Sequence, residues 1–290
     1  MAKFTKTLIA AGLMAAAATP AFAADYSGDI HKNDFKWMQF NVMHTIDQRP
    51  FTAGQGNYND TYLEMEFGGR SGMFDLYGYV DIFDIFDNKH SDKHNTQNAD
   101  GSTNYNQNLF MKFAPRLSLD ALTGKDLSFG PVQELYIANL NNIADGQMEN
   151  QIGLGADVMV PWFGKMGMNL YARYSNENKF FQQEENSWNG YQFSMNWFKP
   201  FYTFGNGSFV SYQGYLDYQF DLDTHNRADR TSDNLATFHG IYWHSDRFAV
   251  GYGLKYFMDA YGTKDGSTAF DGTPWKSSGF SHYFDVTYKF

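Results

Sequence analysis

The chain has 290 residues, and its 22 Lys and Arg against 32 Asp and Glu give a formal charge of −10. This acidic balance argues against nucleic acid as a partner, because phosphate binding requires clustered Lys and Arg side chains. The sequence contains no cysteine, which excludes disulfide bonds and thiolate metal sites.

The first 23 residues have the pattern of a cleavable secretory signal peptide. Lys3 and Lys6 precede an apolar run that ends in Ala21-Phe22-Ala23, and cleavage is expected directly after it. The run is too short for a membrane-spanning helix, which needs about 20 apolar residues. The alternative is an amphipathic helix that stays in the mature protein. Cleavage leaves one domain, residues 24–290, and the loss of the two lysines changes its charge from −10 to −12.

The mature part has no apolar run long enough for a transmembrane helix. Two classes of protein remain, a soluble periplasmic protein and an outer-membrane barrel. The aromatic content of 19%, with 27 glycines and 7 prolines, favours the barrel, whose interfacial girdles use Tyr, Trp and Phe.

Twelve segments alternate in character from residue to residue, as the strands of a transmembrane barrel do. In the third, "MFDLYGYVDIF", one alternate set is apolar or small and the other combines aromatic rings with carboxylates. Successive side chains of a strand point to opposite faces, so one face of this segment meets lipid and the other meets the lumen. The predicted strands are 36–46, 58–69, 73–84, 108–119, 128–140, 150–160, 167–175, 189–200, 208–222, 234–245, 247–260 and 278–290.

The links between these segments alternate between short and long. The long polar links lie near 47–57, 85–107, 141–149, 176–188, 223–233 and 261–277. Short turns on one rim and long surface loops on the other are typical of an up-and-down antiparallel barrel. The sequence therefore predicts an all-β transmembrane barrel of about 12 strands in the outer membrane of a Gram-negative bacterium. Both termini are expected at the periplasmic rim.

One sector of the predicted lumen wall carries tyrosines and carboxylates together. Its inward residues are Asp60, Tyr62, Glu64, Glu66, Asp75, Tyr77, Tyr79, Asp81, Phe83, Lys112, Arg116, Glu134 and Tyr136. Such a wall suits a solute with a flat apolar part and several hydroxyls, because rings stack on the first and carboxylates accept hydrogen bonds from the second. The alternative is structural, with side chains that only neutralise one another, as Arg116 would neutralise Asp75. For Tyr79 and Asp81, near mid-strand, the solute-binding interpretation is favoured.

Motifs for other functions are missing from the sequence. It has no nucleophile elbow, P-loop, zinc-protease or calcium-loop motif, so we expect neither an enzyme nor a cofactor or metal ion. His90 and His94 are four residues apart, but they lie in a polar predicted loop, and a solvated loop is the preferred interpretation.

Several long motifs carry a resemblance to a known family. They include "NDTYLE", "FDLYGYVD", "APRLSLDALTGKDLSFGP", "ELYIAN", "HKNDFKWMQFN", "DVMVPWFGK" and "GIYWHSDRFAVGYGLK". The sequence resembles the nucleoside-specific channel-forming (Tsx-like) outer-membrane proteins, and most of all the branch called outer-membrane protein K. The resemblance runs through nearly the whole mature chain. It implies a monomeric twelve-stranded barrel in the lipid bilayer, with a narrow pore that passes nucleosides and deoxynucleosides.

The resemblance also implies which residues contact the solute. In this family, bases sit between aromatic side chains while ionisable residues hold the sugar. The family's first surface loop offers an Arg-Phe pair, which corresponds here to Arg49-Pro50-Phe51 with an inserted proline. The expected solute-binding residues are Phe51, Glu64, Asp75, Tyr77, Tyr79, Asp81, Arg116 and Glu134.

A second role implied by the resemblance is that of a bacteriophage receptor. Binding of this kind would fall on the long loops, above all 88–108 and 261–278, because loops carry and vary such surfaces. The alternative function is a surface receptor or antigen whose pore is incidental or non-specific. Lipopolysaccharide is the other expected partner at the cell surface. If the loops do not bind the phage, the phage would adsorb to lipopolysaccharide instead.

Overall fold

The computed structural model describes residues 26–94, 96–97, 103–104, 108–179 and 182–290. The predicted signal peptide, residues 1–23, lies outside the described residues and stays a prediction. No helix in the described ranges is long and apolar enough to cross a membrane.

Twelve antiparallel strands close into one barrel, in which each strand pairs with its neighbours in sequence. The barrel closes where β1 pairs with β12, from Gln39 opposite Lys289 to Ile46 opposite His282. The prediction of an up-and-down barrel of about 12 strands is confirmed. The strands are β1 (Phe35–Gln48), β2 (Tyr58–Ser71), β3 (Phe74–Ile82), β4 (Leu109–Ser118), β5 (Val132–Ala144), β6 (Gln147–Val160), β7 (Gly164–Asn178), β8 (Ser187–Thr203), β9 (Phe209–Phe220), β10 (Asn234–His244), β11 (Phe248–Met258) and β12 (Gly279–Lys289).

The links define two ends of the barrel. We call the end with the links 72–73, 119–131, 161–163, 204–208 and 245–247 the turn end, and the opposite end the loop end. Short elements lie within the links. They are the helix α1 (Leu119–Thr123), two 3-10 turns (Gln182–Glu184, Ala260–Gly262), and two small sheets that pair Phe51–Thr52 with Trp275–Lys276 and Thr96–Gln97 with Thr103–Asn104.

Two details of the predicted links are wrong. The surface loop expected at 141–149 is a two-residue turn, because β5 and β6 stay paired as far as Ala144 opposite Gln147. Polar side chains lie on both faces of this hairpin. The Asn142 amide donates to Glu149 on the lumen face, and the Asn150 amide donates to Asn141 on the outer face. The fifth strand begins at Val132 rather than at 128, after a turn in which Phe129 and Val132 exchange backbone hydrogen bonds of 3.0 and 2.9 Å.

The end of the fourth predicted strand also differs. Leu119 belongs to α1 instead of β4, since the Ser118 hydroxyl accepts a hydrogen bond of 3.1 Å from the Ala121 N–H and caps the helix. The left-handed Gly124 then ends α1 after one turn.

The alternation of faces follows the prediction. In β3, Phe74, Leu76 and Ile82 are exposed on the outer surface, whereas Asp81 is buried on the lumen side. In β11, Phe248 and Val250 are likewise exposed, each at 51%. A band of exposed apolar side chains around a closed sheet is the surface that a bilayer requires.

Two glycines on the lumen face of β11 make room for rings of β10. A Cβ at Gly253 would lie 2.1 Å from the Phe238 ring, and a Cβ at Gly251 would lie 2.2 Å from the Tyr242 ring. Both rings are buried, and they pack with Tyr283 and other lumen side chains. The glycines thus allow aromatic side chains to lie flat against the inner wall.

We predict that Gly253→Ala destabilises the barrel by about 1–3 kcal/mol, because the added methyl overpacks the Phe238 ring. The measurement is the urea midpoint of unfolding in detergent or liposomes, followed by the heat-dependent gel mobility of the barrel. Gly205→Ala is the matched control, because a Cβ at Gly205 meets no atom within 4 Å. Equal midpoints for the two variants would contradict the prediction.

Candidate functional site in the barrel lumen

Four aromatic rings form a continuous series along the inner wall, which we call the aromatic ladder. The ladder starts near the turn end at Trp37 and continues through Tyr77 and Tyr79 to Phe110. Successive ring centroids are 6.3, 6.1 and 5.9 Å apart. Trp37 lies flat on β2 because Gly68 has no side chain, and a Cβ there would lie 2.7 Å from its ring. The ladder spans the height of the barrel wall on β1, β3 and β4.

Three carboxylates lie beside the ladder. Glu64 and Asp81 face each other across β2 and β3, and Glu66 faces Tyr79. Asn41 donates a 2.6 Å hydrogen bond to Glu64, and Tyr77 donates one of 2.9 Å to Glu66. The Glu66 carboxylate also accepts a hydrogen bond from the Gln39 amide on β1. Two of these carboxylates are therefore held in place by neutral donors.

Asp81 has a carboxylate oxygen that can accept a further hydrogen bond. Its side chain is buried, and its Oδ1 atom accepts no hydrogen bond from the described residues. The same holds for Oδ1 of Asp285 on β12. Since buried acceptors are normally satisfied, these two oxygens are positions where a hydroxyl of a solute can bind.

Two lysines lie close to the carboxylates, on β4 and β11. Lys112 forms a 3.6 Å ion pair with Asp217 and lies over the rings of Tyr79 and Tyr215, at 5.7 and 5.9 Å. Lys255 lies over Tyr215 at 5.6 Å, and both lysines act electrostatically on Asp81. The middle of the lumen thus combines flat rings, hydrogen-bond acceptors and two cations.

At the turn end, three cations and three carboxylates form what we call the turn-end network. Arg70 pairs with Glu134 at 3.0 Å and with Asp75 at 3.3 Å. Arg116 pairs with Asp157 at 2.9 Å and with Asp75 at 3.3 Å. The network members are Arg70, Asp75, Arg116, Glu134, Asp157 and Lys165, which lies 3.0 Å from Asp157. Its charges balance, so the groups satisfy one another.

Two tyrosines complete the turn-end network. Tyr136 accepts a hydrogen bond of 2.5 Å from Arg70 and donates one of 3.2 Å to Asp157. Tyr26, in the segment before β1, donates a 2.5 Å hydrogen bond to Glu134. Burial and the adjacent Glu134 carboxylate raise the pKa of Tyr26, so its hydroxyl stays protonated at neutral pH. The N-terminal segment is thereby fastened to the turn end of the lumen.

At the loop end, the first and last loops are joined to each other. Phe51 pairs with Lys276 in the small sheet, and the Arg49 guanidinium lies 5.1 Å from the Phe51 ring centre. Thr52 donates a hydrogen bond to Asp271, and this bond holds the pKa of the exposed Asp271 carboxyl below its usual value. The Arg-Phe pair therefore sits in an anchored loop at the entrance.

Comparison with known proteins identifies the family. The sequence profile described as "Nucleoside-specific channel-forming protein, Tsx" matches residues 32–290. The chain belongs to this family. It is 55% identical over 295 residues to the outer membrane protein OmpK of Vibrio parahaemolyticus serotype O3:K6, covering 98% of this chain and 99% of the relative.

More distant members and a solved structure are also similar. The nucleoside-specific channel-forming protein Tsx of Klebsiella pneumoniae is 33% identical over 310 residues, covering 98% of this chain and 99% of that protein. Among solved structures, the KdgM porin aligns with a TM-score of 0.44 at 10% identity, covering 87% of this chain and 99% of that one. The resemblance inferred from the sequence motifs is confirmed, and this Tsx-family chain is an outer-membrane barrel of the channel type.

The structure divides the eight predicted solute-binding residues of this family member into three groups. Glu64, Tyr77, Tyr79 and Asp81 lie together in the middle of the lumen. Asp75, Arg116 and Glu134 belong to the turn-end network, where ion pairs occupy them. Phe51 lies apart from both groups, at the loop end.

Sequence reasoning missed several residues of these groups. Glu66 was predicted on the lumen wall but left out of the solute-binding set. Lys255 and Asp285 face the lumen in phase with their strands, and this alternation could have added them to the site. Arg70 and Lys165 lie in β2 and β7 but just outside the predicted strands 58–69 and 167–175, so the alternation was not extended to them.

We predict that Glu134→Gln destabilises the barrel by about 3–5 kcal/mol, because it leaves the buried Arg70 guanidinium without its nearest carboxylate. The urea midpoint of unfolding measures the effect. Glu177→Gln, at an exposed position near the loop end, serves as the control and should leave the midpoint unchanged. An unchanged midpoint for Glu134→Gln would show that the turn-end network does not depend on this pair.

Proposed function

We propose that this protein is a monomeric channel through which nucleosides and deoxynucleosides diffuse passively across the outer membrane. The single observation that carries the proposal is the aromatic ladder with carboxylates beside it. The names of its relatives agree, because several of them are nucleoside-specific channel-forming proteins. No catalytic chemistry is part of the proposal.

A nucleoside has two parts that fit the two components of the wall. Its base is flat and can stack on Tyr77 or Tyr79, and stacking of a base on an aromatic ring is worth about 1–3 kcal/mol. Its sugar hydroxyls can donate to the open Oδ1 atom of Asp81 and to the neighbouring Glu64. The base would then contact β3 while the sugar contacts β2 and β3 together.

The ladder also explains how binding and release can coexist. Its centroids are about 6 Å apart, so a base that leaves one ring immediately meets the next. Conduction requires several sites of moderate strength rather than one tight site. Phe51, with the Arg49 guanidinium over it, would offer the first contact at the entrance.

We predict that combined Tyr79→Ala and Asp81→Ala substitution weakens nucleoside binding at least tenfold while flux of a sugar of similar size changes little. One stacking contact and one hydrogen bond to a charged acceptor are removed, and about 1.4 kcal/mol already corresponds to tenfold. The measurement is ion current through the purified barrel in planar bilayers, with uridine or adenosine added and glucose as the solute control.

Tyr79→Phe is the matched control variant, because it keeps the ring of the ladder and removes only the hydroxyl. It should retain most of the nucleoside block. If the double variant loses nucleoside and glucose flux equally, the wall is not a specific site. If uridine and adenosine do not block the wild-type channel, the nucleoside proposal is wrong and the incidental-pore alternative stands.

We propose bacteriophage adsorption at the long loops as a second function. The loop between β11 and β12 presents a defined surface, since Asp265 accepts backbone hydrogen bonds of 2.8 and 3.1 Å from Ser277 and Ser278 and its own N–H donates to Asp259. Ordered loops at the outer rim offer a fixed shape to a partner.

We predict that replacing residues 96–104 of the long loop after β3 with a short Gly-Ser linker reduces phage adsorption and leaves nucleoside block unchanged. The same replacement at residues 266–274 tests the other long loop. Adsorption is measured as the fraction of phage removed from solution by cells that carry each variant. If adsorption survives both replacements, the receptor is lipopolysaccharide or another surface component.

A further inference from the structure

We propose that Asp84, Asp87 and His94 at the loop end form a binding site for a divalent transition-metal ion such as Zn²⁺. The Nδ1 atom of His94 lies 2.8 Å from Oδ1 of Asp87 and 3.8 Å from Oδ2 of Asp84. One ligand atom from each of the three side chains lies within 4.8 Å of the other two. This site is separate from the aromatic ladder and from the proposed channel function.

The spacing suits one shared ion. Zinc binds imidazole nitrogen and carboxylate oxygen at about 2.0–2.2 Å, which places neighbouring ligand atoms about 3–3.5 Å apart. The two distances from His94 Nδ1, 2.8 Å to Asp87 and 3.8 Å to Asp84, lie just below and just above this range. Because the Asp87 side chain is 80% exposed, it can rotate to bring all three atoms into place.

Burial of Asp84 is the second observation that points to a cation. Its side chain is only 3% exposed, and its Oδ1 atom accepts a 2.5 Å hydrogen bond from the Asn88 N–H. Its Oδ2 atom faces His94, at 3.8 Å from the Nδ1 atom. Burial of a carboxylate is costly unless hydrogen bonds and a nearby cation compensate its charge.

The surroundings of Asp84 add negative charge. Asp60, itself buried, accepts the Asp84 N–H through both carboxylate oxygens, at 3.2 and 3.3 Å. In the described part of the chain, Asp60 has no Lys or Arg within ion-pair distance, and the nearby Lys93 pairs with Asp92 instead. A metal ion at the site would reduce the repulsion between the Asp84 and Asp60 carboxylates.

The backbone holds the ligands in a defined position. Ile85 and Asn88 donate hydrogen bonds of 3.1 Å each to backbone oxygens at the start of β2, and the Asn59 N–H donates one of 3.0 Å to His90. Asp84 and Asp87 are the first and last residues of a turn, in which the Asp87 N–H donates a 3.1 Å hydrogen bond to the Asp84 carbonyl. This arrangement lowers the ordering cost of binding.

The donor set selects the class of metal. One imidazole with two carboxylates and open positions for water suits Zn²⁺, Mn²⁺ or Ni²⁺. Calcium prefers six to eight oxygen ligands and gains little from an imidazole. Dependence on His94 therefore separates a transition-metal site from general attraction of cations to an acidic loop.

The test is isothermal titration of the purified barrel with ZnCl₂ and, separately, CaCl₂. The protein is the mature chain in detergent, treated with a chelator and made without a polyhistidine tag. We expect one Zn²⁺ per chain at this site, and His94→Ala and Asp84→Asn should each weaken it at least tenfold. His90→Ala is the matched control, because His90 lies in the same loop outside the cluster, and it should bind as the wild type does.

Two further readouts guard against misfolded variants. Heat-dependent gel mobility and nucleoside block should be the same in all variants, so failure of the metal proposal is distinct from failure of the channel proposal. In the wild type, Zn²⁺ should protect His94 from diethylpyrocarbonate, as read by mass spectrometry. The proposal is overturned if His94→Ala binds Zn²⁺ normally, if His94 gains no protection, or if Ca²⁺ binds as tightly as Zn²⁺.

Discussion

The structure depends on closing every backbone hydrogen bond of a sheet that sits in lipid. An unpaired strand edge in a bilayer costs several kcal/mol per polar group, so β12 must pair with β1 along its length. Closure separates an apolar outside from an enclosed inside. Once the sheet is closed, every second residue faces a narrow lumen, and polar side chains there must find partners among themselves or in a solute.

The lumen satisfies this requirement in two different ways. At the turn end, ion pairs such as Arg70 with Glu134 and Arg116 with Asp157 use up the charges. In the middle, Asp81 and Asp285 keep buried oxygens that accept no hydrogen bond from the described part of the chain. A fully paired network gives stability and defines shape, whereas open acceptors beside aromatic rings retain binding capacity. Both regions contain carboxylates, tyrosines and cations, and their pairing distinguishes them.

This difference decides what the sequence could and could not predict. The period of two gave the strands and placed Tyr79 and Asp81 inward, because that signal is local and strong. It failed at 141–149, where the polar residues belong to two paired strands rather than to a loop. It could not separate Glu134 from Glu64, since their roles depend on partners 64 residues away in one case and 23 in the other. Pairing across a barrel is set by closure and shear, which no short window of sequence contains.

The charges of the middle lumen favour a particular kind of solute. Glu64, Glu66, Asp81 and Asp285 interact with one another, and Lys112 and Lys255 balance them only in part. An anionic solute would meet repulsion from these carboxylates in a narrow space of low dielectric, where like charges interact strongly. A neutral solute with hydroxyl donors avoids that cost and gains the open acceptors. A lumen that accepts a nucleoside should therefore resist its phosphorylated form, because the carboxylates are only partly compensated.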